Sequence, residues 1–174
     1  AGKEKEKNLN PMQNILITGG TGLIGGHLSA LLKHRGYKVT ILSRNARPGG
    51  NIQVYRWDPE KGRIDPEAVS TADYIIHLAG AGIGDKRWTH NRKQEIVDSR
   101  VKSGELLYEI LKKTGKKPSA FISASGTGYY GSVTSEKIHT ETDGPGDDFT
   151  GQVCRQWEQV ATKIGDLGIR TVIL

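Results

Sequence analysis

The chain has 174 residues, 35% of them hydrophobic, which is room for one domain with its own core and too apolar for a chain disordered throughout. Its formal charge of +6 is dispersed, and three Trp, six Tyr and two Phe do not interleave with the basic residues, which argues against a nucleic-acid platform. The lone Cys154 excludes an intrachain disulfide and a paired-cysteine zinc site, and no run of about eighteen apolar residues offers a membrane span, so a reduced, cytoplasmic protein is expected.

Residues 1–12, AGKEKEKNLNPM, are polar and read as a disordered tail, leaving 13–174 as the domain. NILIT (14–18) is a β-branched apolar run followed by the glycines of GGTGLIGG. From Leu23 the apolar positions recur at helical spacing until Arg35-Gly36, and KVTILSR (38–44) reads as a second strand, completing one βαβ unit. NIQVYRW (51–57) alternates as a third strand, DPEKGRIDP is punctuated as a loop, and YIIHLAG (74–80) is a buried fourth strand. A long helix is expected over Trp88–Lys113, a fifth strand over SAFISAS (119–125), a long loop over Ser132–Asp148, a helix over Thr150–Asp166 and a sixth strand over IRTVIL (169–174). Six strands alternating with helices predict an α/β, doubly wound parallel sheet of the Rossmann type in the order 3-2-1-4-5-6. The chain stops on an apolar strand with no covering helix after it, the pattern of a piece that lacks a C-terminal substrate-binding part.

In TGGTGLIGG, Gly19, Gly22 and Gly25 form GxxGxxG, with Gly20 adding an overlapping GxGxxG. Glycine is demanded where a pyrophosphate must lie against backbone N–H groups at a helix N-terminus, because a Cβ would hold it away. The context of strand, glycine turn, helix and strand separates this pattern from a mere tight turn. Gly19, Thr21, Gly22, Leu23, Ile24 and Gly25 are therefore expected at a dinucleotide. The end of the second strand chooses between cofactors: an NAD site places Asp or Glu there for the ribose 2′-hydroxyl, and this chain has Ser43-Arg44. A guanidinium forks onto a 2′-phosphate, and charge-assisted bonds of about 1.5–3 kcal/mol each would favour NADP over NAD roughly ten- to a hundredfold. The alternative is a solvated Arg44; Arg47 is near enough in sequence to help. Other strand ends converge on the same crevice: Trp57 and Asp58 toward adenine, and Leu78, Ala79 and Gly80 beside the ribose and pyrophosphate.

TGGTGLIG, HLAG, the serine-rich strand end before YYG and the Glu141 to Pro145 loop resemble the extended short-chain dehydrogenase/reductases, the sugar-nucleotide epimerase and dehydratase group. More narrowly, DKRWT (85–89), SR (99–100), TGYYG (127–131) and the W-E of RQWE resemble an atypical branch called epimerase family proteins. The resemblance covers 14–174 and implies an NADP-dependent oxidoreductase or epimerase-like enzyme acting on a polar, nucleotide-linked small molecule. It also implies a Tyr-x-x-x-Lys pair on the helix after the long loop, the Lys lowering the Tyr pKa from about 10 so that the phenol exchanges a proton while nicotinamide exchanges hydride.

That pair is missing. Aligned on Glu158, Thr150 stands at the Tyr position and Cys154 at the Lys position, and a shift by one residue does not restore the dyad. Ser125, Thr127, Tyr129 and Tyr130 are the candidate substitutes, against the alternative that the tyrosines pack or bound a pocket. His139, Glu141 and Asp143 lie on the long loop, within reach of a substrate or merely solvated. Asp85 to Trp88 line the nicotinamide side or, through Asp85, cap the long helix; Arg100 reaches the site or forms a structural salt bridge. A binding protein that holds NADP(H) without turnover is the competing function.

Overall fold

The computed structural model describes residues 12–45, 51–133 and 136–174; the expected tail up to Pro11 and Arg47 lie outside the described residues. In chain order the elements are β1 (Asn14–Thr18), α1 (Leu23–His34), β2 (Lys38–Ser43), β3 (Gln53–Asp58), β4 (Arg63–Ile64), α2 (Pro66–Ser70), β5 (Tyr74–His77), α3 (His90–Thr114), β6 (Ala120–Ser123), α4 (Phe149–Gly165) and β7 (Thr171–Ile173). They form one sheet in the order β4-β3-β2-β1-β5-β6-β7, parallel throughout except for β4 against β3.

β1 sits at the centre and is buried on both faces, which is why NILIT is a continuous apolar run rather than an alternating one. The chain leaves β1 in one direction through α1 and returns on its other side from β5 onward. Right-handed crossovers then place the helices on opposite faces. On one face Ile15, Ile17, Val39 and Ile41 pack under Leu28 and Leu32 of α1. Their sequence neighbours Leu16 and Leu42 point to the other face, with Ile75, Phe121, Leu107 and Leu111 of α3 and Ala161 and Ile164 of α4. α4 carries its buried positions on one stripe, Val153, Cys154, Trp157, Val160, Ala161 and Ile164, as helical spacing requires.

The six expected strands are present in the expected order, and the stretch read as a loop after β3 is the exception. Asp58 accepts from Lys61 N at 3.3 Å and caps a 3-10 turn, Pro59–Lys61, and Gly62, at φ 59°, turns the chain back beside β3 as the two-residue β4. Asp65 then accepts from Glu67 N at 3.0 Å and Pro66 opens α2. Two residues of strand and five of helix are too short for periodicity to register. Several strands are shorter than read: 78–80 leave the sheet to line the crevice, while Ala124 and Ser125 lie just past β6 with their N–H groups donating to His77 O at 3.0 Å and Leu174 O at 2.8 Å. α3 begins at His90, two residues late, with Thr89 as its cap accepting from Arg92 N at 3.3 Å. The long loop is tied at both ends: Gly146 N donates to Tyr129 O at 2.7 Å and Ser132 N to Asp148 Oδ2 at 2.7 Å. Among the described residues no helix is long and apolar enough to cross a membrane.

Candidate functional site

The parallel strands end at one edge of the sheet, and the loops leaving β1, β2, β3 and β5 enclose a cavity of about 530 Å³ there. At the glycine end, Gly19 has φ 69°, and a Cβ on it would lie 2.9 Å from the backbone of Leu78. A Cβ on Gly25 would collide with Gly19 O and the Gly20 Cα, so α1 can approach β1 only with glycine there. Gly22 stands at the N-cap of α1 without a side-chain cap bond, and the first turn of the helix holds no acidic residue. The free N–H groups of that turn leave it suited to an anion. The side chains of Leu23 and Ile24 are 81% and 71% exposed, so any part they take in binding is through the backbone.

Of the residues expected at a dinucleotide, Gly19, Thr21, Gly22, Ser43, Arg44, Leu78, Ala79 and Gly80 line the cavity, and Leu23, Ile24, Gly25 and Asp58 do not. Trp57, Pro59 and Glu60 line it around Asp58, whose own carboxylate is turned to the 3-10 cap. Eight lining residues were not expected: Leu42, Asn45, Pro59, Glu60 and Ala81, and Glu95, Ser99 and Ser103 on α3. The last three recur every fourth position on a helix, a polar row that pattern reading could have flagged. Glu95 bonds Arg92 at 2.6 Å, and that bond first, with more distant Lys86 and Arg44, holds its carboxyl below the usual range.

Beneath the cavity a closed donor and acceptor chain fixes the β5 exit. Thr18 Oγ1 accepts from Leu78 N and Ala79 N, each at 3.1 Å, and its single proton is therefore left for His77 Nδ1 at 2.7 Å. His77 must then carry its own proton on Nε2, which faces Ser103 Oγ at 3.3 Å. Burial pushes the His77 pKa down to about 4, so the ring stays neutral and the chain stays intact near pH 7.

The remaining candidates lie around the end of β6 and on α4. Ser125 donates to Glu158 Oε1 at 2.5 Å. Thr150 Oγ1 donates to Asp148 Oδ1 at 2.9 Å, and Cys154 is 6% exposed, its thiol pushed up by burial. Thr127 is exposed on a 3-10 turn, Thr127–Tyr130. Tyr129 packs edge-on against Tyr130, which stacks on His139 at 4.6 Å and donates its hydroxyl to Thr140 O at 3.1 Å. Desolvation, with Glu141 and Asp143 nearby, raises the Tyr130 pKa, the opposite of what proton transfer near neutrality asks of a phenol. None of Ser125, Thr127, Tyr129 and Tyr130 lines the cavity. Asp143 is held low by Lys137 at 2.8 Å and pairs with His139 at 3.6 Å, while Glu141 is exposed.

Asp85 does not cap α3; it lies 3.6 Å from Arg92, and the Trp88 indole donates to Ile83 O at 2.8 Å while packing edge-on against Phe149 at 5.1 Å. Arg100 has no carboxylate partner among the described residues; it donates to Ala81 O at 3.1 Å and Ile96 O at 3.0 Å and lies over Trp157 at 5.0 Å. Among the described residues no group of three or more His, Cys, Asp or Glu is placed to share a metal ion.

With this geometry in hand, comparison with known proteins gives the family. The sequence profile of the NAD dependent epimerase/dehydratase family matches residues 15–151, and the chain belongs to that family. It is 38% identical over 162 residues to an epimerase family protein of Bacillus subtilis, covering 91% of this chain and 52% of that protein. Among solved structures it is similar to a nucleoside-diphosphate sugar epimerase from Corynebacterium glutamicum (TM-score 0.76, 32% identity, 94% of this chain and 33% of that one). It is equally similar to a human epimerase family protein solved with NADPH (TM-score 0.76, 31% identity, 92% of this chain and 52% of that one). The chain spans about half the length of the curated relatives it matches.

Proposed function

We propose that residues 13–174 form an NADP(H)-binding domain of an oxidoreductase or nucleotide-sugar epimerase-like enzyme with an atypical proton-transfer site. The observation that carries this reading is the glycine cradle: three backbone positions, Gly19, Gly22 and Gly25, around a helix N-terminus that faces the cavity. On this reading Gly19, Thr21, Gly22 and the N–H groups of Leu23 and Ile24 hold the pyrophosphate. Ser43 and Arg44 take the 2′-phosphate, and Leu78 to Gly80 flank the ribose. Trp57, ahead of Asp58, offers the adenine a flat apolar surface. The bound cofactor would supply hydride transfer. The chain's own part is to orient it and to move a proton, for which Ser125, bonded to Glu158, and Tyr129 are the nearest candidates, with Thr127 and Tyr130 behind them. NADPH beside the human relative and the name of the Corynebacterium protein support NADP over NAD and a nucleotide-linked substrate. The lone, buried Cys154 fits a reducing compartment such as the cytoplasm.

Calorimetric titration with NADPH, NADP⁺, NADH and NAD⁺ tests the reading. Saturable binding with the phosphorylated pair preferred is the expected result; failure of all four to bind a chain that circular dichroism shows folded would end it. A second reading, a non-catalytic NADP(H)-binding sensor or partner-binding protein, draws on Thr150 and Cys154 at the two positions of the proton-transfer pair. NADPH-loaded protein that oxidises no member of a broad carbonyl panel would favour the sensor. Turnover lost in Tyr129→Phe would favour the enzyme.

A further inference from the structure

Two arginines eight residues apart on α3 point at the same loop and are treated differently by their surroundings. Each is 7% exposed. Arg92 donates Nη2 to Gly82 O and Nη1 to Glu95 at 2.6 Å, and Asp85 lies 3.6 Å away, so its charge is matched twice. Arg100 has only backbone carbonyls, Ala81 O and Ile96 O, and both bonds use Nη1. Among the described residues its Nε, like that of Arg92, is buried without a hydrogen-bond partner, and its Nη2, unlike that of Arg92, makes no hydrogen bond either. Taking an unmatched guanidinium out of water is strongly unfavourable, because the lost hydration is not replaced by an opposite charge. The ring of Trp157 returns only part of that.

The position of this charge is as telling as its isolation. A Cβ on Gly80 would lie 2.9 Å from Arg100 Cζ, so the last residue of HLAG leaves room for the guanidinium. Gly80 and Ala81 both line the cavity, and Arg100 sits directly behind them, on the side toward Cys154. Cys154 does not supply the missing negative charge: burial outweighs the pull of Arg100 and keeps it a neutral thiol. The two unused donors, Nε–H and Nη2–H, form one edge of the guanidinium, with parallel N–H bonds spaced to meet two oxygens of one anion. On Arg92 that edge is already occupied at Nη2 by Gly82 O.

We propose that the free Nε and Nη2 edge of Arg100 is a binding site for an oxyanion that presents two oxygens together, a carboxylate or phosphate group carried by the substrate. That the anion belongs to a substrate rests on the dinucleotide reading above; the site itself does not. An oxyanion held on Arg100 would sit behind Gly80–Ala81, beside the buried cation near Cys154, the residue that stands in place of a lysine.

The test is a titration of the ¹⁵N-labelled chain, following the Arg100 Nε–H resonance assigned through its own side-chain carbons, so that no variant has to fold. Sodium formate, sodium phosphate and sodium chloride are compared at matched ionic strength. The expected result is a saturable shift of Arg100 Nε–H with formate, phosphate or both, at an affinity on the order of millimolar, while Arg92 Nε–H moves no more than in chloride. Formate alone identifies a carboxylate and phosphate alone a phosphoryl group. No saturable shift with either, or an equal shift with chloride, overturns the site. NADPH added to the same sample is read separately at the amides of Gly19 and Gly22. An oxyanion response without an NADPH response would sink the cofactor reading and keep this site, and the reverse pattern would do the opposite.

Discussion

Gly25, in the first turn of α1, and Cys154, on α4, are held in place by different physics. At the glycine end the constraints are steric and belong to the backbone: Gly19 and Gly25 admit no Cβ, and Thr18 and His77 hold the adjoining Leu78–Ala79 turn by hydrogen bonds. At the β6 and α4 end side chains hold one another, as Ser125 holds Glu158, Thr150 holds Asp148 and Tyr130 stacks on His139. A backbone cradle tolerates almost no substitution, whereas a network of side chains can be rewired one residue at a time. The difference fits an end that carries the glycine pattern beside an end where Thr150 and Cys154 stand at the two positions of the expected pair.

If that contrast is right, substitutions at the two ends should differ in size. Gly25→Ala meets backbone atoms that cannot move aside and should cost about 3 kcal/mol and abolish NADPH binding, read by urea unfolding and calorimetry. A variant that keeps both would show that the cradle is not a steric necessity. Acid should act on the same end. An unfolded imidazole takes its proton near 6.5 and His77 only near 4, so between those values the unfolded state binds more protons and stability falls as pH drops. The full window is worth about 3 kcal/mol, measured by urea unfolding at pH 7 and pH 4, and His77→Gln should flatten much of it.

Arg44→Ala should weaken NADPH by roughly ten- to a hundredfold and NADH by much less; equal losses would remove Arg44 from the 2′-phosphate. The smallest effect belongs to the other end. Cys154→Ala should cost about 1 kcal/mol of stability and leave NADPH affinity within about twofold, since the thiol touches no cavity wall. A large loss of NADPH binding there would erase the contrast between the two ends.

The glycine end was legible because its signals are local. GxxGxxG between a strand and an amphipathic helix specifies its own geometry, and Ser43-Arg44 follows β2 directly. Glu95, Ser99 and Ser103 reach the same cavity from a helix that starts thirteen residues after β5, so their row on α3 had to be docked on the sheet before it pointed anywhere. The 3-10 turn that claims Asp58 was hidden in residues too few to show a period. For Arg100 the salt-bridge alternative is removed by what lies around it, two carbonyls, an indole and no acid among the described residues.

By itself the sequence determined the alternation of strands and helices, the order of the six main strands, the glycine cradle and the absence of the proton-transfer pair. These are matters of period and of residue type at fixed offsets. Tertiary structure alone decided which hydroxyl meets which carboxylate, that Tyr130 is tied to the long loop, that His77 is neutral with its proton on Nε2, and that Arg100 is buried without a counter-charge among the described residues. Those depend on burial and on partners up to tens of residues away, such as Thr18 and His77 at a separation of 59, and pairings of that kind leave no periodic trace in the chain.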